Sequence, residues 1–219
     1  HFQLSGIRVS HSRVGTSGVT IKLDVFFDYS CPFVYRVAGM LDAVQASGAR
    51  PVEVRWRYFS LTQVNSKDDG WTLWNAPASE AVRGRLAFQA AEAARRQGRF
   101  DDLHMPLLEA RHRDRLDLDD PAVIERVAAD VGLDMRRFAA DIAASDILES
   151  VARDHREAVE GHGIFGTPTL LFADGASAYV RLSERVEDGA AVEVFDRLTS
   201  VAAEEPRILE IKRPRRPTP

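Results

Sequence analysis

An α/β fold interrupted by a large all-helical insertion is the class this sequence predicts, and three observations predict it. Two strand-like stretches, Val19–Phe27 and Pro51–Phe59, bracket a helical stripe. Helical periodicity then runs from about Ala78 to His162. Strand patterning returns only at Thr169–Phe172, and a helix closes the chain. The order is β-α-β, a helical block, then β-β-α, which suits a sheet with helices on its faces.

The first strand alternates over Val19–Asp24 and becomes wholly apolar at Val25-Phe26-Phe27, as a strand entering a buried sheet does. Val34, Val37, Ala38, Leu41 and Val44 recur at the spacing of one helix face, and Gly48 is a stop signal. Pro51–Phe59 alternates again. A strand–helix–strand order implies a crossover, so these two strands are expected to be parallel. In the helical block, Ser79 and Glu80 open one helix that runs through Phe88 to Arg96. A short one surrounds Leu103–Ala110, and Asp120-Pro121 caps a third that Gly132 ends. Met135–Ile142 and Asp146–Val159 supply two more. Asp174-Gly175 signals a hairpin between Thr169–Phe172 and Ala178–Leu182, and the last helix spans about Ala190–Ala203.

The 219 residues suffice for one sizeable core or for a domain with a large insertion. With 45% apolar and 28% charged residues the composition is that of an ordinary globular protein. A net charge of −4 argues against a nucleic-acid binder, which shows a basic excess. No run of 18 apolar residues is present, so no membrane span is expected. The single cysteine excludes an intramolecular disulfide, and the first residues lack a signal-like apolar stretch; both lean toward the cytoplasm. Gly6, Gly15 and Gly18 mark residues 1–18 as a flexible arm. Lys212-Arg213-Pro214-Arg215-Arg216-Pro217 reads as part of a solvated, basic, proline-rich tail over 206–219.

Two short stretches carry chemistry. The lone cysteine, Cys31, lies in Phe27-Asp28-Tyr29-Ser30-Cys31-Pro32-Phe33-Val34, at the seam between strand and helix. Unpaired N–H groups and the helix dipole favour an anion there, and a thiolate is the nucleophilic form of cysteine. Val34 stands where a Cys-x-x-Cys pair would carry its second sulfur. The second stretch, Gly166-Thr167-Pro168-Thr169, precedes the third strand, a place where proline is tolerated and a cis bond can occur. The histidines show no metal-ligand spacing, and no Gly-x-Gly-x-x-Gly or phosphate-loop motif is present.

Ser30-Cys31-Pro32-Phe33 after a strand, a helical insertion, and then Gly163-Ile164-Phe165-Gly166-Thr167-Pro168-Thr169 before another strand resemble the DsbA-like branch of the thioredoxin superfamily. The resemblance covers roughly Ile21 to Ala203. Trp56-Arg57-Tyr58-Phe59-Ser60-Leu61 and Pro206-Arg207-Ile208-Leu209-Glu210-Ile211-Lys212-Arg213 resemble the FrnE-like and mycothiol-dependent oxidoreductases within it. The 2-hydroxychromene-2-carboxylate isomerases and kappa-class glutathione transferases, which replace the cysteine with serine, are similar too. The resemblance implies a thioredoxin-like domain over 19–77 and 163–205, with the insertion at 78–162.

It further implies that Cys31 is the catalytic nucleophile, that Pro32 and Phe33 shape its turn, and that Pro168 is a cis proline facing the sulfur. Thr167 would offer its backbone to an extended thiol peptide. Tyr29, from its place just before the turn, is a candidate to hydrogen-bond a ligand or else to pack. With one sulfur, Cys31 can form a mixed disulfide that an external thiol such as glutathione, mycothiol or bacillithiol resolves. Alternatively it stands in for the serine of a thiol-dependent isomerase or transferase, or the domain only binds peptides as a chaperone does. The expected partners are a small thiol or disulfide and protein substrates, with a homodimer as a further option; no bound cofactor, metal, nucleic acid or membrane is expected. Tyr35, Arg36, Asn65, Trp71, Trp74 and His162 are weaker candidates, the tryptophans as a pocket over the thiol and His162 as a proton shuttle.

Overall fold

The computed structural model describes residues 20–213, so the arm expected over 1–18 and the end of the tail, 214–219, lie outside the described residues. Four strands form one sheet in the order β2-β1-β3-β4. β1 (Ile21–Phe27) pairs in parallel with β2 (Val52–Tyr58), placing Val25 opposite Trp56. It pairs antiparallel with β3 (Thr169–Phe172), placing Val25 opposite Leu170. β3 turns through Asp174-Gly175 into the short β4 (Ser177–Tyr179). Strand β4 is shorter than the sequence pattern suggests, although the Val180 N–H still donates to the Pro168 carbonyl at 3.0 Å, in the same register.

The parallel crossover is α1 (Pro32–Ser47), which ends where Gly48 takes a left-handed φ of 63°. A single turn, α2 (Leu61–Val64), follows β2, capped by Ser60 accepting from the Gln63 N–H. The insertion holds α3 (Arg85–Arg96), α4 (Phe100–His112), α5 (Pro121–Asp130), α6 (Met135–Ile142) and α7 (Glu149–Arg156). A π-helical turn, Glu157–Gly161, extends α7, and α8 (Asp188–Ala202) closes the fold. Asp120 and Asp134 cap α5 and α6 by accepting from Ala122 and Arg137 N–H groups.

Two helix boundaries depart from the periodicity. The helix expected from Ser79 starts at Arg85, because the Arg85 guanidinium takes up the carbonyls of Ala76, Pro77, Ala78 and Glu80 and holds that stretch as turns. The helix expected over Asp146–Val159 is shorter and widens into the π turn.

Alternation along β1 divides the core. Leu23, Val25 and Phe27 face the main cluster with α1, α3 and α4, whereas Phe26 points the other way, onto Phe59, Ala158 and Ile164. Helix α7 and its π turn, counted by the sequence pattern with the insertion, therefore cover the second face of the sheet. Asp154 accepts from the Tyr58 N–H at 3.2 Å and His155 from the Ser60 N–H at 3.1 Å, pinning α7 to the end of β2.

Candidate functional site

Cys31 sits where β1 hands over to α1. The turn between them is closed by the Cys31 N–H donating to the Asp28 carbonyl at 3.0 Å. Cys31 is the N-cap, with extended φ and ψ of −88° and 116°, and Pro32 occupies the first helical position, where a missing N–H costs nothing. The cysteine side chain does not cap its own helix. Instead its thiol donates across 136 residues to the Thr167 carbonyl at 3.2 Å. The Thr167–Pro168 peptide is cis. Cys31, Thr167 and Pro168, far apart in sequence, thus meet at one point; Pro32 is exposed, Phe33 half-buried and Cys31 5% exposed. Val34 is wholly buried.

Beneath this turn lies a carboxyl group that the motif did not single out. Asp28 is buried and accepts from the Ser30 N–H at 2.8 Å and the Leu61 N–H at 2.7 Å, linking the cysteine turn to the turn after β2. Burial pushes its carboxyl above the usual carboxylate range, against the lowering pull of those two N–H groups. The sequence did hold a signal: an acid directly after the apolar run Val25-Phe26-Phe27 must find donors if buried. His112 supplies a second support, its Nε2 2.8 Å from the Tyr29 carbonyl and its ring stacked 5.7 Å from Tyr35. Because a carbonyl only accepts, Nε2 carries the proton. Burial lowers the His112 pKa, opposed by that bond and aided by the guanidiniums of Arg111 and Arg36.

Tyr29, expected to touch a ligand, turns its hydroxyl inward instead, to Nδ1 of buried His104 at 3.0 Å. Burial holds the phenol well above its ordinary pKa. The cause is the aromatic cage of Phe27, Phe88 and His104, which offers the ring a better partner than solvent. Tyr35 is buried too and accepts from Arg185 at 3.1 Å. Arg36 donates to the Leu182 carbonyl at 2.8 Å and lies 5.2 Å from the Phe33 ring centre, with Arg181 at 4.2 Å from the same ring.

The remaining candidates have other partners. Trp71 donates to Glu80 at 3.0 Å, and Trp74 packs beside His155 and under Arg156. Neither tryptophan lines the clefts beside the cysteine turn. Asn65 donates back to the Leu61 carbonyl at 2.7 Å and so ends α2. His162 lies 3.7 Å from Glu157 on the far side of the π turn, with no bond to Cys31. Among the described residues no three His, Cys, Asp or Glu side chains converge as a metal site, and no helix is long and apolar enough to cross a membrane.

Comparison with known proteins agrees with this fold. The profile of the DSBA-like thioredoxin domain family matches residues 22–197. A probable DsbA oxidoreductase from Streptomyces coelicolor has a similar fold, with a TM-score of 0.58 and 20% identity over 88% of this chain and 94% of that one. A thioredoxin-like oxidoreductase from Silicibacter pomeroyi follows with 0.53 and 22% over 82% and 87%. Among curated proteins, an uncharacterized protein of Mycobacterium tuberculosis is 27% identical over 200 residues, covering 89% of this chain and 83% of the relative. A Na(+)/H(+) antiporter NhaA 1 of Mycolicibacterium gilvum is 30% identical over 159 residues, covering 72% of this chain. The chain spans only 22% of that antiporter's length.

Proposed function

Because this chain belongs to the family of DSBA-like thioredoxin domains, we propose that it works by thiol–disulfide exchange through one sulfur, that of Cys31. The observation that carries this reading is the Cys31 thiol 3.2 Å from the carbonyl that precedes cis Pro168. A disulfide laid against Thr167 would have one sulfur beside Cys31 and its backbone beside the loop that leads into β3.

The deprotonated Cys31 sulfur attacks one sulfur of the disulfide. A bond from Sγ to that sulfur forms as the original S–S bond breaks, and the departing sulfur leaves as a thiolate. Val34 supplies no second sulfur, so the mixed disulfide persists until an external thiolate attacks it. That attack frees Cys31 and forms a new disulfide between the incoming thiol and the substrate half. Glutathione, mycothiol and bacillithiol are the thiol classes that suit this role, in a thiol-rich compartment such as the cytoplasm. Pro32 and Phe33 shape the approach, and Asp28 and His112 hold the turn in place beneath it.

Intact-mass measurement after incubation with an oxidised small thiol tests this. One half-disulfide is expected to add to the wild type, to leave on addition of reduced thiol, and to be absent in Cys31→Ser. An unmodified wild type would overturn the reading. Turnover retained in Cys31→Ser would instead favour a transferase or isomerase in which the cysteine stands in for serine.

A further inference from the structure

A cleft opens directly beside the cysteine turn. One wall is Ser30 and Pro32, the residues on either side of Cys31; the other is Arg111 and His112, which end α4, and Arg115 just beyond. Three features bear on the charge at this cleft.

The first is their lack of acidic partners. Arg111 donates only to the Leu116 carbonyl, at 3.3 Å, and Arg115 has no hydrogen bond or ion pair among the described residues. Arg113 stands between them in sequence and shows the contrast: it pairs with Glu109 at 3.0 Å and Asp114 at 2.8 Å. The nearest acids on the adjoining cleft are Asp117 and Asp119; Asp119 accepts from the Gly84 N–H, and neither pairs with Arg111.

The second is the backbone at Arg115. Its φ is 58°, and it is the one non-glycine residue with a positive φ among the described residues. The turn that ends α4 calls for glycine, because a β-carbon in this region clashes with the carbonyl that follows it. An arginine is there nonetheless, at the mouth of the cleft. Strained positions of this kind cluster where a side chain has a task.

The third is the other flank of the turn. Arg36 and Arg181 lie on the Phe33 ring at 5.2 and 4.2 Å, and neither is paired with a carboxylate. Four guanidiniums without a carboxylate partner therefore flank the turn that carries Cys31, Arg111 and Arg115 in the cleft and Arg36 and Arg181 on the Phe33 ring, in a protein whose net charge is −4. His112, whose pKa is lowered by burial and further by the Arg111 and Arg36 charges, lines the same cleft.

We propose that this cleft receives the acid groups of an anionic low-molecular-weight thiol, its carboxylates on Arg111 and Arg115, so that its sulfur meets Cys31. The planar guanidinium fork matches a carboxylate in two parallel bonds. A thiol with free carboxylates, of the glutathione or bacillithiol kind, fits this charge; mycothiol, a sugar-based thiol without acid groups, does not. The inference deepens the exchange reading given above and rests on it.

The test measures the second-order rate of Cys31 adduct formation, by intact mass, with four disulfides: oxidised glutathione, coenzyme A disulfide, neutral hydroxyethyl disulfide and cationic cystamine. In the double variant Arg111→Gln, Arg115→Gln the rate with oxidised glutathione is expected to fall about tenfold, the size of one lost charge-assisted contact of about 1.4 kcal/mol. The rate with hydroxyethyl disulfide stays within twofold and that with cystamine rises. Raised salt is expected to shrink the wild-type advantage for the anion. If the double variant does not fold, Arg115→Gly, which suits the left-handed backbone, gives the same comparison with a smaller fall. Equal rates in wild type and variant for oxidised glutathione would overturn the proposal while leaving exchange intact. A larger, arginine-dependent gain for coenzyme A disulfide would replace carboxylate by phosphate and overturn it as stated. If no disulfide modifies Cys31, exchange fails, and unreactive S-methylglutathione decides the cleft by calorimetry: arginine-dependent binding supports it, and no binding overturns it.

Discussion

Two buried histidines show how far a single residue's surroundings reset its chemistry. His104, caged by Phe27, Trp56 and Phe100, is pushed down to about 3 by burial and the Arg95 charge, and His155 to about 4 by burial and Arg156. Both are neutral in the fold but take a proton near pH 6.5 once unfolded. Their contribution to stability is therefore complete above about pH 6.5 and is lost as pH falls toward those folded values. Each steepens the loss by about 1.4 kcal/mol per pH unit within that window. In His155→Asn, whose side-chain oxygen still accepts from the Ser60 N–H, urea titrations between pH 7 and 5 should show a shallower decline than the wild type. Asp28, raised by burial, works in the opposite sense in both proteins, so the difference in slope isolates the histidine. Identical slopes would refute the assignment.

At the scale of elements, one arginine joins three of them. Arg57 on β2 reaches Asp24 of β1 at 3.1 Å, Asp154 of α7 at 3.1 Å and Glu157 of the π turn at 2.6 Å. Burial opposes its charge, but the bonds to Glu157 and Asp154 outweigh that and hold its pKa above the usual arginine value. Alternation along β2 assigns Arg57 to the same polar side as Glu53 and Arg55, which is correct. That this side is buried at residue 57 follows only from α7 lying on it. Removing one partner of a buried ion pair strands the others, at a cost of about 3–5 kcal/mol. Arg57→Met should lose that much in urea unfolding. A loss below about 1 kcal/mol would mean that water, not Arg57, satisfies the three carboxylates. Cap residues and glycine stops were equally legible, because they act within one turn. The start of α3 was not, since the carbonyls of 76–80 are claimed by a side chain, Arg85, whose reach the periodicity does not encode.

For the whole molecule, sheet and insertion share one core. Phe27, at the end of β1, has its ring within 4.7–6.4 Å of Tyr29, Trp56, Tyr58, Phe88, Phe100 and His104, and so touches both parts. A cluster this continuous couples their unfolding. Far-UV and near-UV circular dichroism should report one coincident transition, and Phe27→Ala should lower stability by about 3–5 kcal/mol. Separate transitions would show that the insertion folds as an independent unit.

The sequence by itself determined the order of elements, the parallel crossover, the seam that carries Cys31 and the loop that carries Pro168. Those are local matters of periodicity, capping and turn chemistry, each settled within a few residues. Only the tertiary structure decided that the Cys31 thiol meets the Thr167 carbonyl, that Tyr29 faces inward to His104, and that Arg111 and Arg115 line a cleft with the neighbours of Cys31, without carboxylate partners. Contacts across 75 or 136 residues depend on how whole layers pack. A linear pattern specifies which face of each element is apolar, but not which neighbour that face will find.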